Sequence, residues 1–152
     1  MATPAIARTL DIDVTFPGGK RVDARIAGKI IHSDQSVEHG GEGSAPEPFD
    51  LFLSALATCA GLYILGFCQA RQLPIDGIKL VQRNHFDESS HLVHIDLEIV
   101  LPDDFPEKYR AAIVRAAAGC KVKKTLAAPP EFVVTAKSPA GEVFASSAAA
   151  AA

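Results

Sequence analysis

Apolar and polar residues alternate along the first part of the chain in the pattern of short β-strands. Every second residue from Leu10 to Phe16 is apolar, and the Pro-Gly-Gly-Lys segment at residues 17–20 is typical of a turn. Residues 22–26 return with the same period of two, and residues 28–32 continue it. The pattern therefore predicts a hairpin followed by a third strand.

A long apolar helix is predicted next. Residues 33–48 are rich in glycine and proline in a polar setting, which is typical of an ordered loop. Apolar residues then continue at helical spacing from Pro48 to about Arg71, and Pro74 ends the helix. Because this helix is apolar on nearly all sides, we expect it to be central in the fold.

The rest of the chain repeats strands and helices. Residues 78–86 and 95–101 alternate as a second hairpin, two helices are predicted at residues 107–118 and 122–126, and residues 132–136 form a last strand. Antiparallel hairpins separated by helices predict an α+β protein.

Length and composition limit the class of protein. The 152 residues suit a single domain, expected over residues 1–137, and the alanine-rich tail at residues 138–152 is expected to be frayed. With 48% hydrophobic and 22% charged residues, the chain suits a soluble globular protein. The 15 Lys and Arg against 18 Asp and Glu give a net charge of −3, and no run of basic residues is longer than Lys123-Lys124. We therefore expect no nucleic-acid partner.

The same features argue for a cytoplasmic protein. The N-terminal residues lack the apolar core of a secretory signal. The apolar helix fits the core of a soluble protein better than a membrane span, because amphipathic strands surround it. We therefore expect neither export nor a membrane partner.

Three cysteines are the main candidates for chemistry. Their odd number and long spacings do not suit a disulfide framework. Cys59 lies among small residues of the apolar helix, either as an inert core residue or as a nucleophile. Cys120 starts the short predicted helix beside several lysines, a setting that lowers the pKa of a thiol, although a packed helix-end residue is the alternative. Cys68 follows Cys59 by nine residues, so it faces the opposite way on the helix and is expected to be structural.

No metal site is expected. The chain contains no Cys-x-x-Cys motif or Cys/His cluster of the kind that binds zinc. His91 and His94 are three residues apart on a predicted strand, which places them on opposite faces.

Two segments resemble the motifs of a known family. Residues 48–59, Pro-Phe-Asp-Leu-Phe-Leu-Ser-Ala-Leu-Ala-Thr-Cys, resemble the Pro-x-Glu-Leu-Leu-x-Ala-x-x-x-x-Cys helix start of the OsmC/Ohr family of osmotically inducible and organic-hydroperoxide-resistance proteins. Residues 120–126, Cys-Lys-Val-Lys-Lys-Thr-Leu, resemble its second motif, Cys-Pro-Val-x-Lys-x-Leu. The resemblance covers residues 10–137.

This resemblance implies an OsmC-like α+β fold, with antiparallel strands around the long helix, in an intertwined homodimer. It also implies a thiol-dependent peroxidase that reduces organic hydroperoxides. In the family's chemistry the first cysteine, here Cys59, becomes a sulfenic acid, and the second, here Cys120, converts it to a disulfide that an external dithiol reductant reduces. No metal or organic cofactor is implied. An apolar pocket would suit such substrates, and its candidate residues are Phe49, Phe52, Leu56, Leu62 and Tyr63.

The resemblance also implies a catalytic carboxylate and an active-site arginine. The carboxylate corresponds to Asp50, one methylene shorter than the family's Glu, with Glu47 as a nearby substitute. Asp50 is equally suited to be a first-turn acid that the helix dipole favours. It precedes Cys59 by nine positions, so a shared site would need a bend at the helix start or a contribution from a second subunit.

For the arginine we select Arg21 in the first hairpin, where Lys20 and Arg25 are alternatives. A solvated charge on a strand is the other interpretation of Arg21. In the loop before the helix the chain has His39 and no arginine. Without a cation nearby, burial in an apolar helix would raise the pKa of Cys59. The alternative function is therefore a catalytically weak or inactive OsmC-like dimer that binds a small apolar ligand or serves in a stress response.

Overall fold

The structure, a computed structural model, describes residues 6–149 of the chain. It contains the predicted strands and helices in the predicted order, with one additional strand near the C-terminus. The strands are β1 (Ile12–Gly18), β2 (Arg21–Ile26), β3 (Lys29–Ser33), β4 (Lys79–Phe86), β5 (Leu92–Val100), β6 (Phe132–Lys137) and β7 (Val143–Ala149). The helices are α1 (Pro48–Gln69), α2 (Glu107–Ala118) and α3 (Lys121–Ala127).

The described strands pair only in antiparallel fashion, which confirms the predicted α+β class. β1, β2 and β3 form a three-stranded sheet in that order, while β4 pairs with β5 and β6 pairs with β7. The chain groups into two compact units, Met1–Ser54 and Ala55–Ala152. The first contains the three-stranded sheet, the loop after it and the start of α1. The second contains the rest of α1 and all later elements.

Two glycines build the turn between β1 and β2. Gly18 and Gly19 have φ angles of 131° and 59°, in the region that residues with a side chain rarely adopt. The strands on either side pair with Val14 opposite Ala24. Lys20 follows the glycines directly, so the turn carries a cation at its tip.

A buried carboxylate orders the loop between β3 and α1. Asp34 is 1% exposed, and it accepts hydrogen bonds from the N–H groups of Gln35, Glu42 and Ser44 and from the Ser44 hydroxyl. These bonds, the Ser44 hydroxyl first, lower the pKa of Asp34. A Cβ on Gly41 would lie 2.1 Å from the carbonyl oxygen of Gln35, so only glycine fits there. The loop is therefore held in shape by its own hydrogen bonds.

One side of α1 forms the core of the second unit, in two clusters. The larger cluster contains Ile64, Phe67, Cys68, Phe105, Ile113 and Ala117. The smaller cluster joins Leu56 and Ala60 of α1 to Cys120. Leu80 of β4 packs against both clusters and connects them.

The other side of α1 carries exposed apolar residues. Leu62 is 64% exposed and Tyr63 is 37% exposed. Within the described residues of a single chain, the helix is therefore packed on one side only.

α1 is also long and apolar enough to cross a membrane. The core helix of a soluble protein has the same length and composition, so this property is weak evidence for a membrane span.

The C-terminal segment is more ordered than expected. β7 runs antiparallel to β6, with Phe132 opposite Ala149 and Ala136 opposite Ala145. The expectation of a frayed tail from residue 138 onward is wrong for β7. The reason is that pairing with β6 holds a run of alanines and serines that carries no strand pattern of its own. The last part of the predicted tail, residues 150–152, lies outside the described residues.

We expect Ile113→Ala to lower the free energy of unfolding by about 2–5 kcal/mol, because it leaves a cavity at a fully buried position. Val114→Ala, at the neighbouring position that is 55% exposed, should change this free energy by less than about 0.5 kcal/mol. Urea unfolding followed by circular dichroism measures both. Equal losses for the two variants would contradict the assignment of Ile113 to the core.

Candidate active site

Cys59 lies near the middle of α1, at the edge of the smaller cluster. Its side chain is half-buried and packs against Leu56, Ala60 and Cys120. Ala60 is 0% exposed, and its small side chain lets another element approach α1 closely. That element is the start of α3, because Val122 packs against the same cluster.

Cys120 is the N-cap residue of α3. The preceding helix ends at Ala118, and the Gly119 N–H closes it by donating to the carbonyl oxygens of Arg115 and Ala116. Cys120 then adopts an extended backbone, with φ −62° and ψ 150°, that turns the chain into α3. Its side chain is 0% exposed and is directed at Cys59.

The two thiols meet at the N-terminus of α3. The Cys59 sulfur accepts hydrogen bonds from the backbone N–H groups of Val122 and Lys121 and from the Cys120 thiol. N–H groups in the first turn of a helix have no partner within the helix, and the positive end of the helix dipole favours an anion there. The Cys59 sulfur thus serves as the acceptor for N–H groups that have no partner within α3.

These contacts lower the pKa of the Cys59 thiol. The hydrogen bond from the Val122 N–H is the largest cause. Burial opposes it, while the Cys120 thiol and the N–H and charge of Lys121 add to it. From the sequence we expect burial to raise this pKa unless a cation lies nearby, and we associate the start of α3 with Cys120. The start of α3 instead donates to Cys59, which increases the thiolate fraction of Cys59 near neutral pH.

Cys68 belongs to the larger cluster and differs from Cys59 in its surroundings. It is 1% exposed, and burial raises the pKa of its thiol. A buried thiol with a raised pKa is poorly reactive. This agrees with the structural role expected for Cys68.

Arg21 and Asp50 both belong to the first unit. Arg21 begins β2 and forms an ion pair with Asp23, with 3.3 Å between Nη2 and Oδ2. Asp23 also accepts a hydrogen bond of 2.8 Å from Nδ1 of His32. Asp50 is exposed in the first turn of α1, where the helix dipole favours a carboxylate. Their roles as the activating cation and its carboxylate stay predictions.

A histidine and a glutamate form a second pair in the loop before α1. Nδ1 of His39 lies 2.8 Å from Oε1 of Glu47 and 3.0 Å from the Ser36 hydroxyl. The hydrogen bond between His39 and Glu47 raises the pKa of His39 and lowers that of Glu47 to about 2. The sequence pointed to Glu47 only as a substitute for Asp50. Its link to His39, and the central place of Asp34, come from loop geometry that has no periodic signal.

The histidines of the second hairpin bind carboxylates. His94 lies opposite His85, and both contact Asp96, at 2.9 and 2.8 Å. His91 precedes β5 and lies 3.4 Å from Asp87. Among the residues that the structure describes, no group of three His, Cys, Asp or Glu side chains is arranged to hold a metal ion.

The residues expected to form an apolar pocket have different surroundings. Phe49 and Phe52 stack with ring centroids 5.6 Å apart. Leu56 is 2% exposed in the smaller cluster, whereas Leu62 is 64% exposed. Their use as a substrate pocket stays a prediction.

Solved structures of other proteins share this fold. A protein of Psychrobacter arcticus 273-4, provisionally described as an osmotic stress induced and detoxification response protein, is 21% identical with a TM-score of 0.67, over 79% of this chain and 90% of that one. A hypothetical protein of Aquifex aeolicus VF5 is 14% identical with a TM-score of 0.62, over 80% and 89% of the two chains. The organic hydroperoxide resistance protein OsmC of Legionella pneumophila is 16% identical with a TM-score of 0.52, over 80% and 91%. Such identities show the fold alone.

Sequence comparisons identify the family. A search of curated proteins gives no match. Among protein families, residues 41–135 match the family described as OsmC-like protein, and this range includes both Cys59 and Cys120. Proteins of this family are soluble, which agrees with the expectation for α1. Because the match spans more than half of the chain, the protein belongs to the OsmC-like family.

Proposed function

We propose that this protein is a thiol-dependent peroxidase that reduces organic hydroperoxides, with Cys59 as the reacting thiol and Cys120 as the resolving thiol. The observation that carries the proposal is the contact between the two thiols at the start of α3, where two backbone N–H groups favour the thiolate of Cys59. Membership in the OsmC-like family and a fold like that of the Legionella pneumophila organic hydroperoxide resistance protein support a redox or stress-related role.

The first step consumes the hydroperoxide. The Cys59 thiolate attacks the terminal oxygen of the peroxide, a sulfur–oxygen bond forms and the oxygen–oxygen bond breaks. The alkoxide that leaves takes up a proton and departs as an alcohol. Cys59 is oxidised to a sulfenic acid, and the substrate is reduced by two electrons.

The second step uses the neighbouring thiol. The Cys120 sulfur attacks the sulfur of the Cys59 sulfenic acid, a disulfide forms and the sulfenic oxygen leaves as water. Cys59 packs against the cluster that contains Cys120, and the two sulfurs must approach to the disulfide bond length of about 2.05 Å. An external dithiol then reduces the disulfide by exchange and returns both thiols.

Arg21 and Asp50 are the proposed activating cation and its orienting carboxylate. A positive charge beside a thiol favours its thiolate, and a carboxylate that pairs with an arginine fixes the direction of its guanidinium. In this chain the N–H groups of α3 and the charge of Lys121 already supply part of that stabilisation. Activity should therefore depend less steeply on Arg21 than on Cys59.

We also propose that the protein is a homodimer. The β6–β7 hairpin has apolar side chains at successive positions, so both of its faces are apolar, and Val133, Val134 and Phe144 are between 61% and 69% exposed. Isolated two-stranded hairpins are marginally stable in water, and monomers rarely expose large apolar patches. A second copy of the chain would cover this hairpin.

The three free cysteines of the protein suit a reducing compartment, so we place the protein in the cytoplasm.

The peroxidase proposal predicts a specific product. One equivalent of cumene hydroperoxide added to the reduced protein should give a Cys59–Cys120 disulfide, detected by peptide mass spectrometry. Cys120→Ser should accumulate a Cys59 sulfenic acid that dimedone traps. Cys59→Ser should leave Cys120 reduced.

Cys68→Ser serves as the matched control and should form the disulfide as the wild type does. Circular dichroism of each variant verifies that it is folded. Thiols that stay unchanged for minutes in the wild-type protein would refute the peroxidase proposal and favour the weak or inactive dimer.

Lys121 allows the activation of Cys59 to be tested. Lys121→Pro removes both the N–H group and the charge, and the extended backbone of Cys120, with ψ 150°, accepts a following proline. Lys121→Met removes the charge alone. Because only the thiolate is alkylated, the pH at which Cys59 begins to react with iodoacetamide reports its pKa.

In the wild type Cys59 should react at lower pH than an ordinary thiol. The proline variant should shift its reaction to higher pH, and the methionine variant should shift it less. Cys68, which is buried and has a raised pKa, should stay unmodified in the same peptide maps while the protein is folded. Identical profiles for the wild type and Lys121→Pro would show that this N–H group does not act on Cys59.

The dimer proposal predicts a solution mass of about 32 kDa, twice the 16.0 kDa of the chain, in sedimentation equilibrium. Val134→Glu should shift the protein toward the monomer, because a charge would be buried at the covered hairpin. Val114→Glu, on the exposed side of α2, should keep the dimer. A monomeric wild-type protein at micromolar concentration would contradict the proposal.

A further inference from the structure

A cavity of about 460 Å³ lies in the first unit, lined by the β1–β2 turn and the loop after β3. Phe16 and Val22 supply apolar surface, and Lys20, Arg21, Gln35 and His39 supply polar groups. Its volume is within the range of small-molecule sites, roughly 300–1,000 Å³. We propose that this cavity binds a small organic monocarboxylate with an apolar body.

The loop side of the cavity is held in place before any ligand arrives. Gln35 and His39 belong to the loop that Asp34 organises through four hydrogen bonds. A side chain at Gly41 would collide with the Gln35 carbonyl, so this turn depends on glycine. A loop already in its binding shape loses little conformational entropy when a ligand binds.

The polar groups of the cavity are hydrogen-bond donors. Arg21 is paired with Asp23, and His39 is paired with Glu47. Lys20 takes part in none of the ion pairs formed by the described residues, so its charge is available to a ligand. The amide of Gln35 adds a neutral donor. This combination suits a carboxylate, which accepts several charge-assisted hydrogen bonds.

Nearby acids limit the charge that the ligand can carry. A smaller cavity of about 190 Å³ shares Lys20 and Arg21 with the first and adds Asp34 and Glu42. These carboxylates repel a second negative charge, so a monoanion fits better than a phosphate dianion. The Phe16 ring is 79% exposed and offers a flat apolar surface to an aromatic or aliphatic body.

Phenylacetate is the probe that tests this site, with phenylacetamide as its neutral counterpart and phenyl phosphate as the dianion. Isothermal titration calorimetry should show one phenylacetate per protomer, and at least about tenfold weaker binding of the other two compounds. Lys20→Met and His39→Gln should each weaken phenylacetate about tenfold to a hundredfold, the range expected for one hydrogen bond to a charged group. Lys29→Met, an exposed lysine of β3 outside the cavity, is the matched control and should bind within twofold of the wild type.

Amide NMR shifts on titration should be centred on Lys20, Gln35 and His39. Equal affinity for phenylacetamide, shifts centred elsewhere, or the same loss from Lys29→Met would overturn the proposal, as would the absence of binding at millimolar phenylacetate. Cys59→Ser should bind phenylacetate as the wild type does. Arg21 is shared with the proposed peroxidase site, and the Cys59→Ser result separates failure of this binding site from failure of the peroxidase proposal.

Discussion

The close approach of α3 to α1 is the contact on which both the core and the thiol pair depend. Ala60 and Cys120 are each 0% exposed and meet beside Leu56. A larger side chain at position 60 would force the two helices apart, because a packed core has no free volume to accept it. Cys59 would then lose the N–H groups of α3. The same small residue thus serves packing and thiol activation.

A comparison of Cys59 with Cys68 shows what this contact changes. Both cysteines lie on α1 in apolar surroundings, and burial alone raises the pKa of a thiol, as it does for Cys68. At Cys59 the donors at the start of α3 outweigh burial, and the pKa falls. The difference arises mainly from backbone N–H groups at the start of α3, to which the Cys120 thiol and the charge of Lys121 add. The position of these donors, more than the residue type, therefore sets the direction of each thiol's pKa shift.

The first unit is organised by a different principle. The second unit packs around aliphatic side chains, whereas the loop of the first unit packs around a carboxylate. That carboxylate, Asp34, accepts hydrogen bonds from backbone N–H groups that would otherwise lack partners. This arrangement positions His39 and Gln35 at a cavity that also contains Lys20. A polar core of this kind gives a defined loop geometry, and such geometry is what recognition of a small polar ligand requires.

The type and order of nearly all elements were predictable from the sequence, because periodicity and the placement of glycine and proline act over a few residues. The predicted bounds of α2, for example, agree with the observed Glu107–Ala118. The sequence also indicated Cys59 and Cys120 as the pair to examine, through two short motifs. Three features became visible only in the folded chain: β7 pairs with β6, Glu47 binds His39, and the start of α3 donates to Cys59. Each of these depends on a contact between residues distant in sequence or on loop geometry, and local patterns carry no information about which distant groups will meet.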